Sequence, residues 1–332
     1  MTLFRRILPA AFALLPALLP TWSHAADAGD CHYVPLAKLD VAMSAQQMPT
    51  VSGSVNGQTV PMLVDTGAFQ SMLMRPGAER LGLALEPTGG FSDGAGGVAL
   101  TYVTHVKDFG VGEAHTGRVQ MPVLGTMSFK PDFDAVVGAD YLLQADLELA
   151  LADHFVRFLR ASGCADTHLA YWDADAIEIP MTGTLQGSST PLVEVELNGV
   201  KLRAVFDSGT PRTTVSRHAA ELAGAKLDGP GVRQGEPIAG VTDKALATWV
   251  LDFKTFRIGG ETVNNPQMSV SEARPGALGL ADVVLGADFL RAHHVLMAMS
   301  QKRVYLSYLG SELFGARLQA PASAASAAPK AP

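Results

Sequence analysis

The chain has 332 residues, of which 48% are hydrophobic and 17% charged, with a formal net charge of −7. This composition excludes a disordered polymer and provides core enough for two domains. The acidity, with no block of Lys and Arg anywhere, argues against a nucleic-acid partner.

Residues 1–25 read as a signal peptide. Arg5 and Arg6 form a basic start, Ile7 to Leu19 an apolar run, and Ser23-His24-Ala25 a small-x-small cleavage site. The run is short for a membrane span and contains Pro9 and Pro16, so no stable membrane anchor is expected. The expected location is the periplasm or the medium beyond it. Beyond the leader the chain has two cysteines, Cys31 and Cys164. An oxidising compartment allows one bridge between them, closing a loop of about 130 residues worth about 4–5 kcal/mol. The alternative is a pair of free thiols. No CxxC or clustered His accompanies them, so no metal is expected.

The next elements are hairpins. Residues 49–65 alternate apolar and polar positions around Asn56-Gly57, a strong two-residue turn signal. The segment 191–207 does the same around Asn198-Gly199. Each hairpin predicts a second strand that ends on an acid. One ends in Leu63-Val64-Asp65-Thr66-Gly67, the other in Val205-Phe206-Asp207-Ser208-Gly209. The correspondence runs without gaps at an offset of 142 residues, from Pro49 and Pro191 to Leu85 and Leu227. Further on, Val136-Val137-Gly138-Ala139-Asp140 matches Val284-Leu285-Gly286-Ala287-Asp288 at an offset of 148. The chain is therefore a tandem duplication of one unit. The expected lobes are residues 26–160 and 179–317, opened by Val34-Pro35 and Ile179-Pro180. The segment 161–178 is the expected linker, with Tyr171-Trp172 packing between lobes. The Ala, Pro and Ser tail 318–332 is expected to be disordered.

Between the paired motifs of the first copy lies a glycine-rich stretch, residues 89–97, followed by a β-rich run from Val98 to Val106. It predicts a hairpin over a cleft, with Gly94, Gly96, Gly97 and Val98 near its tip and Gly240 at the matching place in copy two. Gly94, Gly96 and Ala99 nominally fit a dinucleotide fingerprint. No strand precedes them and no helix follows, so a phosphate would have no helix N-terminus to sit on. Asp140 and Asp288 read as caps or ion-pair partners at short helix starts. The adjacent His293 and His294 would point to opposite faces of a strand and share no site. Many short strands separated by glycine turns make the fold all-β with short helices, in two barrel-like lobes.

An acid at the end of a buried strand is costly alone. Two on matching turns explain each other if they meet between the lobes. Carboxyls within about 3 Å share one proton. The ionised member then takes a proton from water while the protonated member hydrogen-bonds the carbonyl under attack. Thr66 and Ser208 can donate hydroxyls across the interface, and Gly67 and Gly209 allow tight turns. The chain has no H-E-x-x-H pair. A two-carboxylate glycosidase leaves the flanking hydroxyl-Gly pairs unexplained. The rival reading is a non-catalytic protein that holds extended peptides in the same cleft by strand addition. Such a binder gains nothing from two adjacent acids.

The paired triplets Asp65-Thr66-Gly67 and Asp207-Ser208-Gly209, with Val136-Val137-Gly138 and Val284-Leu285-Gly286, resemble the signatures of clan AA aspartic proteases. Each copy is short, so the chain is similar to bacterial retropepsin-like proteases with two units fused in one polypeptide. The resemblance implies an aspartic endopeptidase with Asp65 and Asp207 as its dyad. It also implies a flap over residues 94–98, a strand loop through Gly138 and Gly286, a peptide or protein substrate, and no cofactor. Fusion of both units implies a monomer. Phe69 and Arg212 depart from the small or hydroxyl residues that often follow the family's triplets. Tyr102 is the available candidate for a flap tyrosine.

Overall fold

A computed structural model describes residues 30–94, 97–125, 130–185, 187–238, 245–272 and 281–315. The leader 1–25, Gly96, Gly240 and the tail 318–332 lie outside the described residues. The fold is all-β with short helices, and each repeat builds one ten-stranded sheet.

Each lobe starts from its hairpin. Strands Pro49–Val55 and Gln58–Val64 pair antiparallel, with Val55 opposite Gln58. Asn56 and Gly57 fill the two-residue turn at φ of 52° and 80°, the left-handed region that favours these residues in hairpins. Strands Pro191–Leu197 and Val200–Phe206 repeat this, with Asn198 at 53° and Gly199 at 82°. The Asn side chains have a second task. Asn56 Oδ1 accepts from the Lys107 and Asp108 amides, and Asn198 Oδ1 from those of Lys254 and Thr255. Each turn is thereby tied to the next strand of its own lobe. Alternation decides the packing: Val51, Val55, Val60, Met62 and Val64 are buried in the core of the first lobe.

A third sheet belongs to both repeats. Its order is His32–Asp40, Phe155–Ser162, Asp146–Ala150, His293–Ala298, Arg303–Tyr308, Ile177–Pro180. The opening strand of each repeat thus folds back on a closing strand of the same repeat, with Val34 opposite Arg160 and Ile179 opposite Val304. The seam at the centre joins the repeats, Leu147 facing Met297 and Leu149 facing Val295. Those four side chains pack into the main core. On the other face, Leu159, Leu296, Ala298 and Tyr305 are covered by Leu169, Ala170 and Ala176 of the connecting segment. That segment is a lid on the shared sheet, pinned by a disulfide between Cys31 and Cys164. The expected lobe boundary at 160 falls inside the strand that continues to Ser162. Among the described residues, no helix is long and apolar enough to cross a membrane.

Two buried histidines of this sheet are paired with acids. His293 and His294 sit on opposite faces. His293 Nε2 lies 3.0 Å from Glu261, and His294 Nε2 lies 2.8 Å from Glu148. Tyr171 donates to Glu148, and the Trp172 ring stacks on His294 at 3.9 Å. The aromatic pair of the connecting segment therefore packs on the shared sheet, Tyr171 over the Glu148 carboxyl and Trp172 against His294 and the apolar cluster around Tyr305.

Candidate active site

The two acids reach the interface by the same local construction. Strand Gln58–Val64 runs parallel to Ala135–Val137, and the amide of Asp65 donates to the Val137 carbonyl at 3.0 Å. Strand Val200–Phe206 runs parallel to Val283–Leu285, and the Asp207 amide donates to Leu285 at 2.9 Å. Beyond each triplet the chain crosses the next motif at close range. A Cβ on Gly138 would collide with the backbone of Gln70, and one on Gly286 with that of Arg212. Glycine is required there by the crossing chain.

Asp140 and Asp288 lock that crossing. Asp140 Oδ1 accepts from the amide and hydroxyl of Ser71, both at 2.8 Å. Asp288 Oδ1 accepts from the amide and hydroxyl of Thr213, and from the Phe289 amide at 2.7 Å. The same hydroxyls accept from the Gly138 and Gly286 amides. Burial pushes the Asp288 carboxyl up. These acids fasten each site loop to its helix start and do not face the dyad. Their partners, Ser71 and Thr213, were missed by sequence reasoning, although both are hydroxyl residues at the 142-residue offset.

The triplets grip one another. Thr66 Oγ1 donates to the Phe206 carbonyl at 2.7 Å and accepts from the Ser208 amide at 3.1 Å. Ser208 Oγ donates to the Val64 carbonyl at 2.6 Å and accepts from the Thr66 amide at 3.1 Å. Both residues are fully buried, so each lost bond would leave a polar group dry.

The grip brings the two carboxyls together in hydrogen-bonding contact. A Cβ on Gly67 would land on the Asp207 carboxyl, and one on Gly209 on the Asp65 carboxyl. Neither glycine has a positive φ. Each glycine sits in a turn where a side chain would clash, as expected, and the group it would meet is the acid of the opposite lobe. Asp65 Oδ1 accepts from the amides of Gly67 at 2.9 Å and Ala68 at 2.8 Å. Asp207 Oδ1 accepts from Gly209 at 2.9 Å, and the Thr210 amide also favours its ionised form. Burial raises Asp65, and the two amides oppose that rise. Asp207 stands well above the usual carboxylate range, by burial first and then by the facing charge of Asp65. Like charges this close cannot both ionise, so the pair holds one proton over a wide pH range.

The glycine-rich stretch forms the long hairpin Glu86–Gly94 and Gly97–Val106, with Gly94 opposite Gly97 and Val98 opposite Asp93. Contrary to expectation a strand, Glu86–Gly94, leads into the nominal dinucleotide fingerprint, but a strand and not a helix follows it, so a phosphate would meet no helix N-terminus there. The second lobe has the counterpart Arg233–Gln234 with Thr248–Asp252, extended by a bridge between Ile238 and Leu246. Tyr102 is a mid-strand residue beside Pro87 and Val123, and its hydroxyl accepts from Arg75 at 3.3 Å. It is therefore not a tip residue. Phe69 remains exposed beside Gly187 of the other lobe. Arg212 pairs with Glu236, part-way along the second hairpin, at 2.7 Å.

A family model described as aspartyl protease matches residues 51–141 and 193–289, together more than half of the chain. The chain belongs to the aspartyl protease family. Each match contains one Asp-hydroxyl-Gly triplet and one hydrophobic-Gly motif, so the two lobes of this aspartyl protease relative are two fused units of one kind. No curated protein matches the chain.

Proposed function

We propose that the chain is an exported aspartic endopeptidase that hydrolyses peptide bonds with water activated between Asp65 and Asp207. The observation that carries this reading is the contact of two carboxyls delivered by two repeats, each fed by its own loop amides. Asp65, whose Oδ1 accepts from the Gly67 and Ala68 amides, acts as the carboxylate and takes a proton from water. The water oxygen bonds to the carbonyl carbon, and Asp207 gives its proton to the carbonyl oxygen. Collapse of the tetrahedral species returns that proton to Asp207. The C–N bond breaks, and the nitrogen takes the proton held by Asp65. No covalent enzyme intermediate forms.

The hairpins at 86–106 and 233–252 cover the bound chain, with Gly94, Gly97 and Val98 near the tip of the first. Residues 26–160 and 179–317 act as lobes on the shared sheet. The disulfide fits an oxidising compartment, consistent with a leader at 1–25 and a periplasmic site of action. Since one chain supplies both acids, the enzyme works as a monomer; a light-scattering mass of twice the chain would count against this. The test is hydrolysis of a peptide pool across acidic to neutral pH by wild type, Asp65→Asn and Asp207→Asn. Loss in both variants with the fold intact supports the dyad. A folded wild type that binds peptides without cleaving them turns the reading to peptide binding.

A further inference from the structure

The two triplets are alike in sequence, yet among the described residues one is held by a group the other lacks. The carbonyl of Thr66 accepts from Thr190 Oγ1 at 2.8 Å. Thr190 comes from the second lobe and is fully buried. Its hydroxyl lies 2.8 Å from Ser188 Oγ. Because the single Thr190 proton is committed to Thr66, Ser188 donates to Thr190. The position that mirrors Thr190 at the 142-residue offset is Met48. Met48 is buried in an apolar cluster with Leu63, Met74 and Val136, and has no hydroxyl to give.

The Thr66 carbonyl and the Gly67 amide belong to one peptide group. That amide donates to Asp65 Oδ1 at 2.9 Å. A donor at the carbonyl end of a peptide polarises it and strengthens its N–H as a donor. A hydrogen-bonded chain therefore runs from Ser188 through Thr190 and the Thr66–Gly67 peptide to Asp65. Asp207 receives the matching Gly209 amide, but the residue placed to feed that peptide is a methionine.

We propose that Thr190 is a positioning residue that, through this peptide, makes Asp65 the ionised partner of the pair and leaves the shared proton on Asp207. Its catalytic meaning rests on the dyad assigned under Proposed function. Among the described residues, Asp207 is the ionisable group acting on Asp65. Asp140 and Asp288 bind Ser71 and Thr213 instead.

The test is a carbon-13 NMR titration of labelled aspartate carboxyls in the full chain, assigned with Asp65→Asn and Asp207→Asn, run beside kcat and KM across pH. Thr190→Val should raise the Asp65 midpoint by about half a pH unit and carry the acid limb of kcat with it, leaving KM in place. Thr190→Ser should restore the wild-type midpoint. Ser188→Ala should give a smaller rise in the same direction, and it decides the matter if Thr190→Val does not fold. An unmoved Asp65 midpoint in the variant that folds overturns the proposal. So does a Thr190→Ser shift as large as that of valine. If no peptide is cleaved but the midpoints move as described, the hydrolytic reading falls and the inference stands. If cleavage is normal and the midpoints stay, the inference alone falls.

Discussion

The two lobes share a plan and differ where they touch. Both deliver an acid from a hairpin, both cross the loop past a glycine, and both fasten the crossing with an Asp and a hydroxyl. The crossing is open in the first lobe, where Asp140 is exposed, and sheltered in the second, where Asp288 is half-buried and takes a third donor. Opposite each other, the loop around residue 47 presents a carbonyl to Arg291, while the loop 187–190 reaches Phe69 and Thr66. The second lobe also carries extra chain. Strand pairing sets Glu86 against Arg233 as equivalents, so the segment Asp228–Val232 is an insertion between helix and hairpin. It lines a groove with Leu227 and Trp249 that contains no dyad residue. Duplication thus kept the two acid-bearing loops alike in plan and let the contacts around them diverge.

The strongest way to break this comparison is at the acids. Asp65→Asn and Asp207→Asn are each expected to lower kcat by about 10²–10⁴-fold with an unchanged circular dichroism spectrum. A variant that keeps most of its activity would mean that the lobes do not share one site.

The disulfide marks a second difference, because it secures only the entry to the first repeat. Cys31→Ser with Cys164→Ser should cost about 4–5 kcal/mol in urea unfolding, if the bridge acts by restricting the unfolded chain. A cost near zero would make the apolar lid over the shared sheet sufficient by itself.

Gly67→Ala and Gly209→Ala place a methyl on the opposite acid. Each should cost about 1–3 kcal/mol and abolish cleavage. Equal losses in thermal unfolding would show that the dyad is approached alike from both sides. At the loop crossings the lobes should separate. Asp288→Ala removes three bonds in a sheltered place, and Asp140→Ala two bonds in an exposed one. The first should cost about 2–3 kcal/mol and the second about 1.

The smallest effect is the pH dependence of stability. Asp207 is raised above its ordinary value of 3.8 by burial and by Asp65. Between that value and the raised one, the folded state binds more protons than the unfolded state, so stability falls as pH rises. The contribution is full at lower pH and lost as pH climbs through the folded midpoint. The melting temperature of wild type should therefore drop more steeply from about pH 4 upward than that of Asp207→Asn. Parallel curves would place the shared proton elsewhere.

Much of the site was legible because its signals are local. Asn-Gly between alternating strands is a turn wherever it occurs, and Asp-Thr-Gly after an apolar strand announces a costly acid. The duplication then paired the two acids without any knowledge of distance. The role of Gly67 was not legible, since its neighbour Asp207 lies 140 residues away in sequence. Nor was that of Thr190, whose counterpart Met48 carries no hydroxyl and so leaves no repeat signal. The pairs His293 with Glu261 and His294 with Glu148 follow no common offset, and burial alone makes them necessary.

By itself, then, the sequence determined the repeat, the hairpins, the two acids and the family resemblance, because strand period, turn chemistry and charge cost are written residue by residue. The tertiary structure alone decided how the halves meet. The shared sheet and the seating of the connecting segment on it depend on groups that approach only after both lobes have folded, whereas the Cys31–Cys164 bridge and the Thr66 and Ser208 grip are already expected from the sequence. The unequal support of Asp65 and Asp207 likewise depends on the folded lobes. The energies of these contacts come from burial, which no single stretch of chain can produce alone.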